Sequence, residues 1–309
     1  EVNFNTLNTS LALNQDLSVI TKGLSLKALV NFKNWSETSY TRSIKSNIYK
    51  VKDGSYNPET GEYDYQLLQT GDQFLSQSGI SRNSDQTFYF DARLDWKRSF
   101  GDHNLTAMAM YMMREYRSDV LPNRNQGYSG RVTYDYASKY LVEFNFGYNG
   151  SERLAAGQRF EFFPAVSAGW VASSEKFWEP ISKYINHFKI RGSYGLVGSD
   201  AFASGAPHFL YQNNIGIGSA HKFWTGLPTS EISKQGPGFY VLAVQDAGWE
   251  HVKKFDIGFD MMLFNQLNIT FDYFHDKRER ILMSRASWPS MLGYWGSKPW
   301  SNIGEVENQ

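Results

Sequence analysis

The feature that most constrains this chain is a strict alternation of side-chain character. Between Phe88 and Lys97 one parity reads Phe88, Phe90, Ala92, Leu94, Trp96, and the other reads Tyr89, Asp91, Arg93, Asp95, Lys97. Successive side chains of a β-strand point to opposite faces, so this segment is a strand with one apolar and one charged face. Tyr128, Val132, Tyr134 and Tyr136 alternate in the same way with Ser129, Arg131, Thr133 and Asp135. Val142, Phe144, Phe146 and Tyr148 alternate with Glu143, Asn145, Gly147 and Asn149. Phe255, Ile257, Phe259 and Met261 alternate with Asp256, Gly258 and Asp260, and Leu267, Ile269, Phe271 and Tyr273 with Asn268, Thr270 and Asp272. Residues 24–33, 188–197 and, less cleanly, 5–15 follow the pattern, whereas 104–116 and 160–172 are apolar on both parities and read as strands by context alone. The chain is expected to be almost all β.

A soluble sandwich also alternates, so further features must decide the class. The expected strands 85–100, 104–118 and 252–264 outrun the roughly 5 or 6 residues usual in soluble proteins and the roughly 9 to 11 that cross a bilayer. Connections alternate in length: 16–23, 100–103, 137–139 and 265–266 are short and 173–186 intermediate, whereas between them 118–126 and 152–159 are medium and 38–84, 199–250 and 281–301 are long. Short turns on one rim and long loops on the other define a transmembrane β-barrel meander. Ten or eleven strands follow. No apolar run reaches the length of a membrane helix, and 31 basic against 31 acidic residues leave no electrostatic footprint for nucleic acid. With no cysteine in the chain, disulfides, thiolate metal sites and a Cys nucleophile are excluded.

The charged parity suits a wet lumen, which makes Asp91, Arg93, Asp95, Arg131, Asp135 and Glu143 candidate lumen-facing residues. Trp96, Tyr134, Tyr136 and Tyr140 fall at strand ends beside short turns, where an aromatic girdle at the membrane interface belongs; packing in a sandwich core is the alternative. Residues 199–250 gather aromatic rings among Gly, Ser, Asn and Gln. Such rings stack on sugars, cover peptide backbone, anchor protein interfaces, or pack the loop against itself. The turn-rich tip 53–61 lies between Tyr49–Lys52 and Tyr63–Leu68, so the first long loop is expected to contain its own hairpin. Residues 174–186 read as a short helix capped by Ser174, with Phe177, Trp178, Ile181 and Ile185 at helical spacing.

Catalytic signatures do not emerge. The six histidines form no HExxH or helical pair, the glycine clusters fit neither GxGxxG nor a P-loop, and there is no GxSxG. Asp91 and Asp95 share a face with Arg93 and Lys97, which reads as a charge ladder rather than a glycosidase pair. No cofactor and no catalysis are expected.

Particular segments are recognisable. Gly130-Arg131-Val132-Thr133-Tyr134-Asp135-Tyr136 and Tyr140–Glu152, followed by Phe162–Trp170, Ser174–Trp178 and Lys189–Gly198, resemble the barrel of the SusC/RagA family of TonB-dependent outer-membrane transporters of Bacteroidetes. Gly248-Trp249-Glu250, Phe255–Asp260, Asp272-Tyr273-Phe274 and Asn302–Asn308 continue the series in the family's order. The resemblance covers most of 127–309, and residues 1–126 fit the same barrel by pattern. It implies a barrel of about 22 strands whose lumen holds a plug, of which this all-β chain supplies about half, without the plug, signal peptide or C-terminal strands. It further implies active import of an oligosaccharide or peptide, energised by the TonB-ExbB-ExbD complex, with a SusD-like surface lipoprotein as lid and barrel–lid pairs that dimerise. Trp224, Tyr240, Trp249 and Tyr211 are the expected substrate or lid contacts. A passive porin or adhesin barrel, and a soluble carbohydrate-active β-protein, are the competing readings.

Overall fold

The computed structural model describes residues 1–202, 206–217, 222–225, 232–285, 289, 291 and 299–309, without the side chains of 222–225, 232–235 and 239. Eleven strands form one sheet, neighbours in sequence being neighbours in space throughout. They are β1 (Val2–Asp16), β2 (Leu24–Ser39), β3 (Ser81–Phe100), β4 (His103–Arg117), β5 (Asn123–Tyr136) and β6 (Tyr140–Ser151), then β7 (Phe160–Val171), β8 (Ile185–Ser199), β9 (Glu250–Leu263), β10 (Leu267–Ser284) and β11 (Trp300–Asn308). The order β1 to β11 is that of an up-and-down meander, the arrangement the alternation and loop lengths predict. Tight turns close the short rim: Ala137 and Ser138, like Phe264 and Asn265, all have positive φ, the paired left-handed geometry of the two-residue hairpin turn whose twist matches the strands it joins.

Two compact units divide the chain. The first comprises Glu1–Thr9, Phe32–Thr87 and Tyr116–Leu121, and the second Ser10–Asn31, Phe88–Glu115 and Pro122–Gln309. Within the first, the loop between β2 and β3 carries the expected hairpin, Ile48–Val51 pairing with Tyr65–Gln69. A shorter pair, Arg42–Ser43 with Ser76–Gln77, closes its base.

Within the second unit the register sorts the residues onto two faces. Val132, Phe144 and Val166 lie in one cross-strand row, and Thr133, Glu143 and Ser167 in the next. The apolar face is uncovered: Val132 is 44% exposed, Phe144 43%, Val166 47% and Ile257 46%. A soluble sandwich would pack such a face against a second sheet. The buried hydrophobic core lies instead at the long-loop end. One cluster joins Leu154, Phe163 and Trp249, and another joins Leu210, Ala247 and Leu282.

The segment between β7 and β8 departs from expectation. Two 3-10 turns, Ala172–Ser174 and Lys176–Ile181, replace a single α-helix, and Ser174 caps neither of them. Pro180 sits inside the second turn. It has no N–H to give to the Lys176 carbonyl, and its ring clashes with that carbonyl in an α-helix, so the chain keeps to the tighter winding.

Candidate functional site

The polar face carries the candidate lumen charges, and several are engaged with one another. Arg93 Nε lies 3.0 Å from Asp95 Oδ2, which Lys27 Nζ approaches to 3.6 Å from β2. Arg131 donates to Asn145 Oδ1 at 2.8 Å and stands 3.6 Å from Glu143. Asp135 accepts a bond from the Asn104 side chain on β4 and from the Ser138 backbone in the following turn. Asp91 sits on the same parity and bonds to Tyr89. Thr133, Glu143, Ser167, Ser193 and Asp256 line an open trough of about 530 Å³ together with Lys189 and Arg191.

Arg191 is a centre the sequence reading did not single out. Its guanidinium reaches Asp272 at 2.6 Å, Asp260 at 3.2 Å and Asp256 at 3.5 Å, joining β8 to both β9 and β10. Gly258 stands between Arg191 and Asp272 in the register. A Cβ there would fall 2.2 Å from Asp272 Oδ1 and 2.5 Å from the Phe271 carbonyl oxygen, so glycine is what lets the two charges meet across β9. The alternation of Lys189, Arg191, Asp256, Asp260 and Asp272 was the available signal, but only cross-strand register shows that three acids converge on one base.

At the short rim, three of the four proposed girdle residues form a connected aromatic row. His103 Nδ1 lies 2.7 Å from the Tyr134 hydroxyl and its ring 4.8 Å from that of Tyr136, which in turn stacks near Tyr140. Trp96 lies four residues before the end of β3, on the apolar parity, and is half-buried. A second aromatic row, unforeseen from the sequence, crosses the apolar face toward the long loops. Tyr111 meets Tyr128 at 5.0 Å, and Tyr148 stacks on Phe160 at 5.4 Å.

The long-loop end is a packed base. Gly248, Trp249 and Glu250 are all buried where the loop re-enters the sheet. The Trp249 ring meets Phe163 edge-on at 5.4 Å, and its Nε1 donates to the Arg159 carbonyl. Glu250 accepts from the Leu282 amide and pairs with Arg278. Asn302 clamps the same point, accepting from the Gly248 amide and donating to the Gly248 and Arg280 carbonyls. Trp249 is 5% exposed, and its ring packs the base of the loop. Tyr240 is 58% exposed on a short strand, Gly238–Val241, paired with Asn214–Gly216. Tyr211 is half-buried against Phe209, its carbonyl tied to Gln245. Trp224 belongs to Lys222–Thr225, paired with Ile232–Gln235; its side chain lies outside the described residues. Among the described side chains, no hydrogen bond or ring contact joins Tyr211, Tyr240 and Trp249.

Beside this base, Arg153 stacks over Phe202 at 4.1 Å and donates to the Asp200 carbonyl, while Asn125 bonds the Asp200 carboxylate. His208 faces Glu152 at 3.9 Å. Burial, then the neighbouring Arg153 charge, lowers the His208 pKa and favours neutral imidazole.

An open meander with an exposed apolar face, aromatic rows at both margins and long loops on one rim is the wall of an outer-membrane β-barrel. No protein-family model matches the chain. It is 31% identical over 181 residues to the TonB-dependent receptor P3 of Formosa agariphila, covering 58% of this chain and 17% of that receptor. To the TonB-dependent receptor SusC of Bacteroides thetaiotaomicron it is 23% identical over 171 residues, covering 54% of this chain and 15% of SusC. Among solved structures, the RagAB peptide importer in its open-open state aligns over 99% of this chain and 33% of its own, with a TM-score of 0.65 at 17% identity. A siderophore receptor, PirA of Acinetobacter baumannii, aligns over 99% of this chain and 41% of its own at 0.54 and 8% identity. In sequence the chain is SusC/RagA-like over these stretches, and it spans about a sixth of the length of those curated relatives.

Proposed function

We propose that the chain is part of the wall of an importer that carries an oligosaccharide or peptide across the outer membrane. The observation that carries this reading is the pairing of an uncovered apolar face with a charged face that lines a trough, on a meander that aligns with the RagAB peptide importer. The apolar face meets lipid, and the charged face, with Asp91, Arg93, Asp95, Arg131, Asp135, Glu143 and the Arg191 cluster, lines the lumen. That lumen holds a plug supplied by sequence outside this chain. Trp96, Tyr134, Tyr136 and Tyr140 sit at the periplasmic interface. The long loops form the vestibule that a SusD-like lipoprotein closes, with Tyr240, Tyr211 and Trp224 offered to lid or substrate. Energy comes from the TonB-ExbB-ExbD complex, and barrel–lid pairs dimerise. The protein does no covalent chemistry on its cargo.

The test is mild detergent extraction of the full-length protein from the outer membrane, with mass spectrometry of what co-purifies and uptake of the lipoprotein's ligand by cells with and without an uncoupler. A lipoprotein in near-equal amount and uncoupler-sensitive uptake support the reading. Uptake indifferent to the uncoupler makes the barrel a passive porin. A barrel recovered alone removes the lid.

A further inference from the structure

The turn segment 175–184 does not tuck under the rim; it folds back over the apolar face. Its Trp178 ring lies parallel to Phe188 at 5.2 Å with 9° between planes, and Phe177 meets Trp170 at 6.2 Å. Trp170 and Phe188 both belong to the apolar parity, Trp170 sharing a row with Tyr140 and Ile190, and Phe188 one with Met261. The segment is fastened at both ends. Glu175 pairs with Lys139 at 3.1 Å, and Trp178 Nε1 donates to the Ile185 carbonyl. Once fastened, it leaves a cluster of large apolar side chains open: Phe177 at 62%, Ile181 at 41% and Tyr184 at 55%, with Phe264 of the neighbouring turn touching Tyr184 at 6.1 Å and itself 60% exposed. Lys176 and Lys183 stand exposed beside them.

We propose that residues 175–184 are an interfacial anchor that lies in the headgroup region of the periplasmic leaflet, outside the barrel wall. Three observations select lipid as the occupant. The cluster is continuous with the face that meets hydrocarbon. Its rings and branched side chains are those that settle at a membrane boundary, where an amphipathic ring keeps its polar end wet. Its two lysines match the phosphates of that layer, on stems long enough to reach them. The segment thus widens the contact between wall and bilayer beyond the strands themselves.

The test uses the full-length protein in nanodiscs of phosphatidylethanolamine and phosphatidylglycerol. Ile181→Cys carries an environment-sensitive fluorophore, and Ala156→Cys, exposed in the loop between β6 and β7 at the other rim of the same unit, is the control. At 181 the expected result is a blue shift on reconstitution and loss of emission to lipids doxyl-labelled near the headgroup, with little loss to aqueous iodide; at 156, iodide quenches and the doxyl lipids do not. Quenching at 181 by iodide alone overturns the anchor. So does shielding from both quenchers, which would mean that protein covers the patch. A second variant, Phe177→Ser with Tyr184→Ser, checked for folding by heat-modifiability, is expected to move the label at 181 toward iodide access.

Discussion

At the scale of single residues, burial decides which side chains hold the molecule and which are free to act. Trp249 illustrates the first kind. Truncating a buried tryptophan costs about 3–5 kcal/mol, so Trp249→Ala should loosen the loop base; the check is faster protease cleavage within 200–249 on intact cells, with the barrel still heat-modifiable. Glu279 illustrates charge held in place. Lys253 at 2.6 Å and Lys277 at 3.0 Å bring its carboxyl down from 4.5 to about 2, Lys253 contributing most, and Lys277 also reaches Glu305. The outward parity of β10 has by then left its apolar run, Leu267 to Tyr273, for His275, Lys277 and Glu279, so this ladder stands above the hydrocarbon. A carboxyl depressed in the folded state stabilises above its unfolded pKa and loses that contribution as pH falls through its folded one. Melts of the full-length protein should show a loss between about pH 4.5 and about pH 2 that Glu279→Gln removes. A variant melting with an unchanged pH profile would sink the assignment.

At the scale of strands, the two faces make opposite demands. Phe144 lies midway along the apolar run of β6, between Tyr140 and Tyr148, and an arginine at that depth should cost about 2–4 kcal/mol. Ser167, on the charged face beside Glu143, should accept arginine. The folded fraction of the two full-length variants on unheated gels is the measurement, and equal fractions would contradict the assignment of faces. Most strands were legible because one face is wet and the other is not. Strand β7 was not, and Phe163 shows why: it sits on the inward parity yet is buried against Trp249, so packing under the loops erases the alternation there. The 174–186 segment misled for a different reason. Its apolar spacing is helical, but Pro180 and the pull of Trp170 and Phe188 settle it as 3-10 turns on the wall. The burial of Trp249 was not legible, because a ring in a polar loop looks the same in sequence whether it is open to a ligand or plugs a base.

At the scale of the whole molecule, β1 and β11 are the two edges of the sheet, each presenting backbone donors and acceptors that hydrocarbon cannot satisfy. Expressed by itself, this 309-residue stretch should aggregate and fail to insert, whereas the full-length protein should be recovered from outer-membrane fractions. Detergent-free solubility of the stretch would overturn the barrel. The fastening of Gly248, Trp249 and Glu250 to Arg159, Leu282 and Asn302 has a further consequence. Because the long loop's return point is clamped to its neighbours on the rim, changes to the exposed stretch around Tyr240 should leave the register of β8 and β9 undisturbed.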